Sequence, residues 1–190
     1  MSVRAQPKSS ARDRTRGAIL AAAASVLAQD RTATLPDIAE AAGVGRTTLH
    51  RYFPDRQSLI AATIQDSIRA IQQSMDEADL DQGSPLDAMR RAVAAMVAVG
   101  DRLMFVFGDQ SLLKGFGTPA GPVPDDPVVD LITRGQAQGI FDPEVSASWI
   151  QHVLWVLVYR GCEDANRGEL PRHGITPIVI RTLENGIHVR

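Results

Sequence analysis

Apolar positions along the chain recur at steps of three and four residues, the spacing that stacks side chains on one face of a helix, and alternation by two is nearly absent. Ile60, Ile64, Ile68, Ile71 and Met75 make one such series, and Leu86, Met89, Val93 and Met96 another. Both predict helices with a buried stripe. Residues 145–159 are apolar almost all round, with Ile150, Val153, Leu154, Val156, Leu157 and Val158 among them. A helix there must be covered on more than one side.

Start signals divide the chain. Ser10 precedes Asp13 and Thr34 precedes Asp37 by three residues, the spacing at which a hydroxyl and a carboxylate satisfy first-turn amides reciprocally. Ser84-Pro85, Asp126-Pro127, Asp142-Pro143 and Thr176-Pro177 each set a proline behind a capping residue, where its missing N–H removes no helical bond. A short helix over 46–53 and others from about Asp55 and Asp101 bring the expected total to about nine in an all-α fold. Gly43, Gly83, Gly139 and Gly186 are read as stops. Residues 113–126 hold three glycines and three prolines and predict a long loop, read as a lid.

The charge distribution adds a division of labour. The net charge is −2, yet residues 1–60 carry nine Lys/Arg against five Asp/Glu, and residues 61–190 eleven against seventeen. A basic module joined to an acidic one suggests that only the first meets a polyanion. Cys162 is the single cysteine, which excludes an intramolecular disulfide and points to a reducing cytoplasm. No apolar run reaches the length of a membrane helix, and no cofactor or metal site is expected.

Between 35 and 54 the sequence LPDIAEAAGVGRTTLHRYFP places Ile38, Ala39, Ala42, Val44 and Leu49 where a helix-turn-helix needs inward residues. Ala39 permits close crossing, and Gly43 supplies the backbone geometry of the turn. With Leu49 inward, Thr47, His50 and Arg51 project outward, and Arg46 stands at the N-terminal edge of the second helix. Arginine can bond guanine bidentately and threonine offers a hydroxyl and a methyl, while Arg51 and Arg56 can reach phosphates.

Helix 1 over 10–29, the segment from Thr34 to Leu59 and their place near the N-terminus together resemble the tetracycline-repressor (TetR) family, most closely over 12–62. The resemblance implies that Thr34 and Arg56 anchor phosphates, and that Arg46, Thr47, Thr48, His50, Arg51 and Tyr52 approach the major groove. Two positions depart from the family pattern: Gly45 replaces a polar cap, and His50 replaces a tyrosine that contacts phosphate or thymine. The expected organisation is a basic N-terminal arm over 1–9, a three-helix DNA-binding domain over 10–54, and a helical ligand-sensing and dimerisation domain over 55–190.

Beyond residue 62 the resemblance is general, resting on helix lengths and on Arg134-Gly135-Gln136-Ala137-Gln138-Gly139 before a new helix. It implies a homodimer through the last two helices, read as 143–165 and 176–187. One short helix reads few base pairs, so two-fold symmetry predicts a palindromic operator. A pocket for a small apolar or aromatic ligand is expected among Met96, Met104, Phe105, Phe107, Trp149, His152, Trp155 and Tyr159, with His152 read as an interior histidine. The function expected is a transcriptional regulator, by family analogy a repressor released by that ligand. The other readings are a DNA-binding protein with a nucleoid or protein-interaction role, and a small helical enzyme. The enzyme is disfavoured because the four histidines show no ligand spacing, and His152 and Cys162 would stand about 15 Å apart along one helix.

Overall fold

The computed structural model describes residues 11–108 and 126–187. The N-terminal arm, the Ser10 cap and 113–125 of the expected loop lie outside the described residues. Nine helices and no strand are found among them, in the all-α class expected. The chain divides into two compact units at Asp66/Ser67.

In the first unit α1 (Ala11–Gln29), α2 (Leu35–Ala41) and α3 (Arg46–Tyr52) precede α4 (Arg56–Asp76), which continues past the boundary. α1 packs on α2 and α2 on α3. Ile19, Leu20, Ala23, Ala24 and Leu27 form the buried line of α1 and, with Ile38, Ala39, Leu49, Phe53 and Leu59, belong to the core. Each Leu or Ile here contributes roughly 1.5–3 kcal/mol through burial, and the alanines hold the helices close. α4 buries a face turned from the one its isoleucines predict and sharing only Ile64 with it. Leu59, Thr63, Ile64 and Ser67 are buried, whereas Ile60, Ile68, Ile71 and Met75 are only half-buried. The Thr63 hydroxyl is satisfied within the helix, donating to the Leu59 carbonyl at 2.8 Å, so a polar residue is tolerated on the buried side.

The second unit holds α5 (Pro85–Ala98), α6 (Gly100–Phe107), α7 (Pro127–Ala137), α8 (Ala147–Asn166) and α9 (Arg172–Ile187). α5 packs against α7, α8 and α9, and α8 lies along α9. Met89, Val93 and Met96 are buried as their spacing predicts, and α8 buries Ile150, Leu154, Val158 and Cys162. Two guanidinium groups shape the turn after α4. Arg91 donates to the carbonyls of Ala78, Asp79 and Gln82, and Arg134 of α7 to those of Leu80 and Asp81. Five successive carbonyls are thereby satisfied by side chains, which holds Asp79 at a φ of 47° that few non-glycine residues adopt.

The expected starts at Thr34, Ser84 and Asp126 are helix N-caps. Two others are not. Asp142 donates its amide to the Ile187 carbonyl at 2.9 Å and turns its carboxylate onto the Glu144 amide, so Pro143 stands in a turn; Ser146, whose hydroxyl accepts from Trp149, starts α8. Thr176-Pro177 falls inside α9, which begins five residues before the proline, just after Pro171. The ring removes one amide bond there, at an exposed position. Gly186, read as a stop, is helical, while Gly43, Gly83 and Gly139 have the positive φ of chain reversals.

Candidate nucleic-acid interface

The turn between α2 and α3 is built from backbone alone. The amides of Ala42, Gly43 and Val44 each donate at 2.9 Å, to the carbonyls of Ile38, Glu40 and Ala39. Gly43, at a φ of 65°, reverses the chain where a side chain would be strained. Gly45 then caps α3 with no side-chain bond.

Before α2, the Thr34 amide and hydroxyl both donate to the Asp37 carboxylate at 2.7 Å. Those bonds, with Arg46 nearby, hold the Asp37 carboxyl below its ordinary range. Asp30 is held low in the same way by the hydroxyl and amide of Thr32, and Asp55 by Ser58 at the start of α4. The loops flanking α2 and α3 are thus fixed by short carboxylate turns.

On α3, Leu49 is buried, while Arg46, Thr47, His50 and Arg51 are exposed and Thr48 and Tyr52 half-buried. Burial of Leu49 fixes the rotation of the helix, and the outward face carries two guanidinium groups, a hydroxyl and an imidazole. His50 Nδ1 faces the Pro54 carbonyl at 3.4 Å, a long contact that leaves the ring exposed. Arg56 is engaged within the protein: its two terminal nitrogens donate to the carbonyls of Ala33 and Arg31, the latter at 2.7 Å. It ties the loop before α2 to the start of α4. Thr34 is exposed, its hydroxyl already bonded to Asp37.

Two cations that the sequence pattern did not single out join this face. The Arg12 guanidinium lies 6.0 Å from the Tyr52 ring centre, with Arg51 at 5.8 Å from the same centre, and Arg16 lies 5.6 Å from that of Phe53. The signal available in the sequence was the spacing of Arg12 and Arg16, one helical turn apart on α1.

The eight residues expected to line a ligand pocket do not form one group. Met96, Met104 and Phe105 are buried in the core. Phe107 meets Trp155 edge to face at 5.4 Å, and Tyr159 is half-buried. His152 is exposed, against the expectation of an interior histidine: the buried line of α8 runs through Ile150, Leu154 and Val158, which turns residue 152 outward. Trp149 is 61% exposed and borders a groove of about 280 Å³ that Ile150, Val153, Leu157, Leu183 and Ile187 also line. A second cavity of about 320 Å³ lies beside the turn after α4, lined by Met75, Leu80, Leu131 and four aspartates. Cys162 is buried against Gly100, and burial pushes its thiol up to about 11. Among the described residues no cluster of His, Cys, Asp and Glu could hold a metal, and no helix is long and apolar enough to cross a membrane.

Residues 19–63 match the profile described as "Bacterial regulatory proteins, tetR family". The HTH-type transcriptional repressor LfrR of Mycolicibacterium smegmatis is 37% identical over 181 residues, covering 95% of this chain and 94% of that protein. The crystal structure of LfrR superposes with a TM-score of 0.74 at 34% identity, over 94% of this chain and 99% of that one. LfrR in complex with proflavine gives 0.67 at 34% identity, over 93% and 99%.

Proposed function

The chain belongs to the TetR family of bacterial DNA-binding transcriptional regulators, and from that premise we propose that it is a homodimeric repressor released from a palindromic operator by a small aromatic ligand. The observation that carries this reading is the outward face of α3. Arg46, Thr47, His50 and Arg51 are exposed around a buried Leu49, beside a glycine turn. Arg46 and Thr47, in the first turn, are the residues to read base edges; Thr48, His50 and Arg51 flank them toward the backbone. Thr34, exposed at the start of α2, positions that helix, since its amide and hydroxyl both already donate to Asp37. Arg56 acts by positioning α2, since its donors already hold the loop before it.

Dimerisation is assigned to α8 and α9. Trp149, Val156 and Ile178 are 61%, 66% and 49% exposed, an apolar face that a second copy would cover. The proflavine complex of LfrR supports a planar aromatic effector for this chain too, bound within residues 67–190. Such a ligand acts by favouring a spacing of the two α3 helices that no longer fits successive grooves.

The test is selection of duplexes from a random-sequence pool by the purified protein. An inverted repeat should emerge, with half-sites about one helical turn apart or a multiple of it. Arg46→Ala and Thr47→Ala should each weaken binding by about 1–3 kcal/mol, the discrimination that one good base pairing supplies. Proflavine should lower affinity for the selected duplex, and the duplex should lower affinity for proflavine by the same factor. A monomer by sedimentation at working concentration, or enrichment of no sequence, would overturn the reading.

A further inference from the structure

Tyr52 differs from the other residues of α3 in what surrounds it. Its ring is half-buried and carries two guanidinium groups, that of Arg51 from its own helix and that of Arg12 from the start of α1. Both cations are exposed, and among the described residues no ion pair neutralises either. Being within 6 Å of one ring centre, the two charges stand within about 12 Å of one another, close to the screening length of about 8–10 Å at physiological salt. They repel weakly while the ring quadrupole attracts each. Ala11, Arg12, Thr15, Arg51 and Tyr52 line a cleft of about 390 Å³, and the Thr15 hydroxyl is turned back onto the Ala11 carbonyl.

Two unneutralised guanidinium groups held on one aromatic ring and lining the same cleft suit an anion with several acceptor oxygens. We infer that Arg12 and Arg51 form a paired grip on one DNA phosphate, with Tyr52 as the residue that positions both, so that α1 adds a backbone contact to the face of α3. The inference rests on the DNA-binding reading above and extends it to residues outside the helix-turn-helix. The grip reads no base. It fixes the register of α3 in the groove and contributes equally on every sequence.

The ring has an advantage over a carboxylate in this place. An acidic partner would order the arginines equally well, but its charge would oppose the phosphate and would have to be displaced on binding. An aromatic face orders the guanidinium groups without neutralising them.

The experiment compares wild type, Arg12→Ala, Arg12→Lys, Tyr52→Phe, Tyr52→Leu and the Arg12→Ala/Tyr52→Leu pair. Each binds a duplex selected by the wild-type protein and a poly(dI-dC) duplex, from 50 to 200 mM salt. Melting temperature and helical signal are measured alongside. One phosphate contact contributes about 0.9 to the slope of log K against log salt. Loss of the whole grip from both protomers would therefore flatten the slope by about 1.8, about a twelvefold change in relative affinity across that salt range, and Arg12→Ala, which leaves Arg51 on the same phosphate, should give a measurable part of it. The ratio of selected to poly(dI-dC) affinity should not change. Arg12→Lys should restore most of the slope, and Tyr52→Phe, which keeps the ring face, should retain the part of the slope that Tyr52→Leu loses. Arg12→Ala should matter less in the Tyr52→Leu background than in wild type.

An unaltered slope in Arg12→Ala, with wild type binding normally, overturns the grip and leaves the DNA-binding reading intact. Equal effects of Arg12→Ala in both backgrounds overturn the positioning role of Tyr52. Failure of wild type to bind either duplex overturns the reading of the site and this inference with it.

Discussion

Adding a single methyl group at Gly135 should destabilise the second unit, although it should improve the helix that carries it. Gly135 lies in α7 with its carbonyl accepting from the amides of Ile140 and Phe141 at 2.9 and 3.2 Å, which folds the following chain back over it. A Cβ built there comes to 2.5 Å from Phe141 Cε2 and 3.0 Å from Cγ. Non-bonded carbons separate to about 3.5–4.0 Å, so the ring must retreat by about 1 Å, and Phe141 is fully buried. Overpacking of this kind costs about 1–3 kcal/mol, with the upper end apt because a buried ring has nowhere to go. Replacing a helical glycine by alanine returns up to about 1 kcal/mol. The net destabilisation is about 1–2 kcal/mol, or a fall in Tm of roughly 2–8 °C for a chain of this size.

Thermal unfolding at fixed protein concentration, followed by the fluorescence of Trp149 and Trp155, measures it. Gly135→Ala/Phe141→Leu should recover part of the stability by vacating the ring edge. Gly17→Ala is the comparison: it too is helical, with nothing within 4 Å of an added Cβ, and should raise the helical stability of the first unit by about 0.4–1 kcal/mol. A Gly135→Ala protein as stable as wild type would refute the close approach of Phe141 to α7.

Arg56→Ala should loosen the loop before α2, since it removes both bonds to the carbonyls of Ala33 and Arg31; charge-assisted bonds at a part-buried site are worth about 1–3 kcal/mol together. Amide exchange of residues 30–38 should accelerate, and Arg56→Lys should not restore it because an ammonium lacks the two-pronged fork; unchanged exchange would remove the positioning role. The Asp37 carboxyl, held low first by the bonds from Thr34, contributes stability that is present above the ordinary value of 3.8 and is lost as pH falls through its folded value. The urea midpoint should be flat in this respect from pH 8 to 5 and decline below about 4, and Asp37→Asn should reduce that decline; an identical acid profile in the variant would assign the protonation elsewhere.

Fold class and the outward face of α3 were both legible along the chain, because both follow from local rules. Apolar spacing of three and four gives helices, and a glycine at 43 gives the turn. One inward residue, Leu49, then sets the direction of every side chain from Arg46 to Tyr52. The helix starts at Thr34, Ser84 and Asp126 could be read for the same reason, since a cap acts within four residues of itself.

Partners far apart in the chain settled the rest. Asp142-Pro143 reads as a start, but the Ile187 carbonyl takes the Asp142 amide and moves the cap to Ser146. The isoleucines of α4 promise a stripe, yet only Ile64 of it is buried, beside Leu59, Thr63 and Ser67, while Ile60, Ile68 and Ile71 stay half-buried. Arg56 and Arg12 are both exposed-looking cations in the sequence. One is drawn onto carbonyls 23 and 25 residues away, and the other onto an aromatic ring 40 positions later. A guanidinium carries the same charge in either setting, and only the partners that folding brings within about 3 Å or 6 Å of it decide whether it holds the protein together or remains available to DNA.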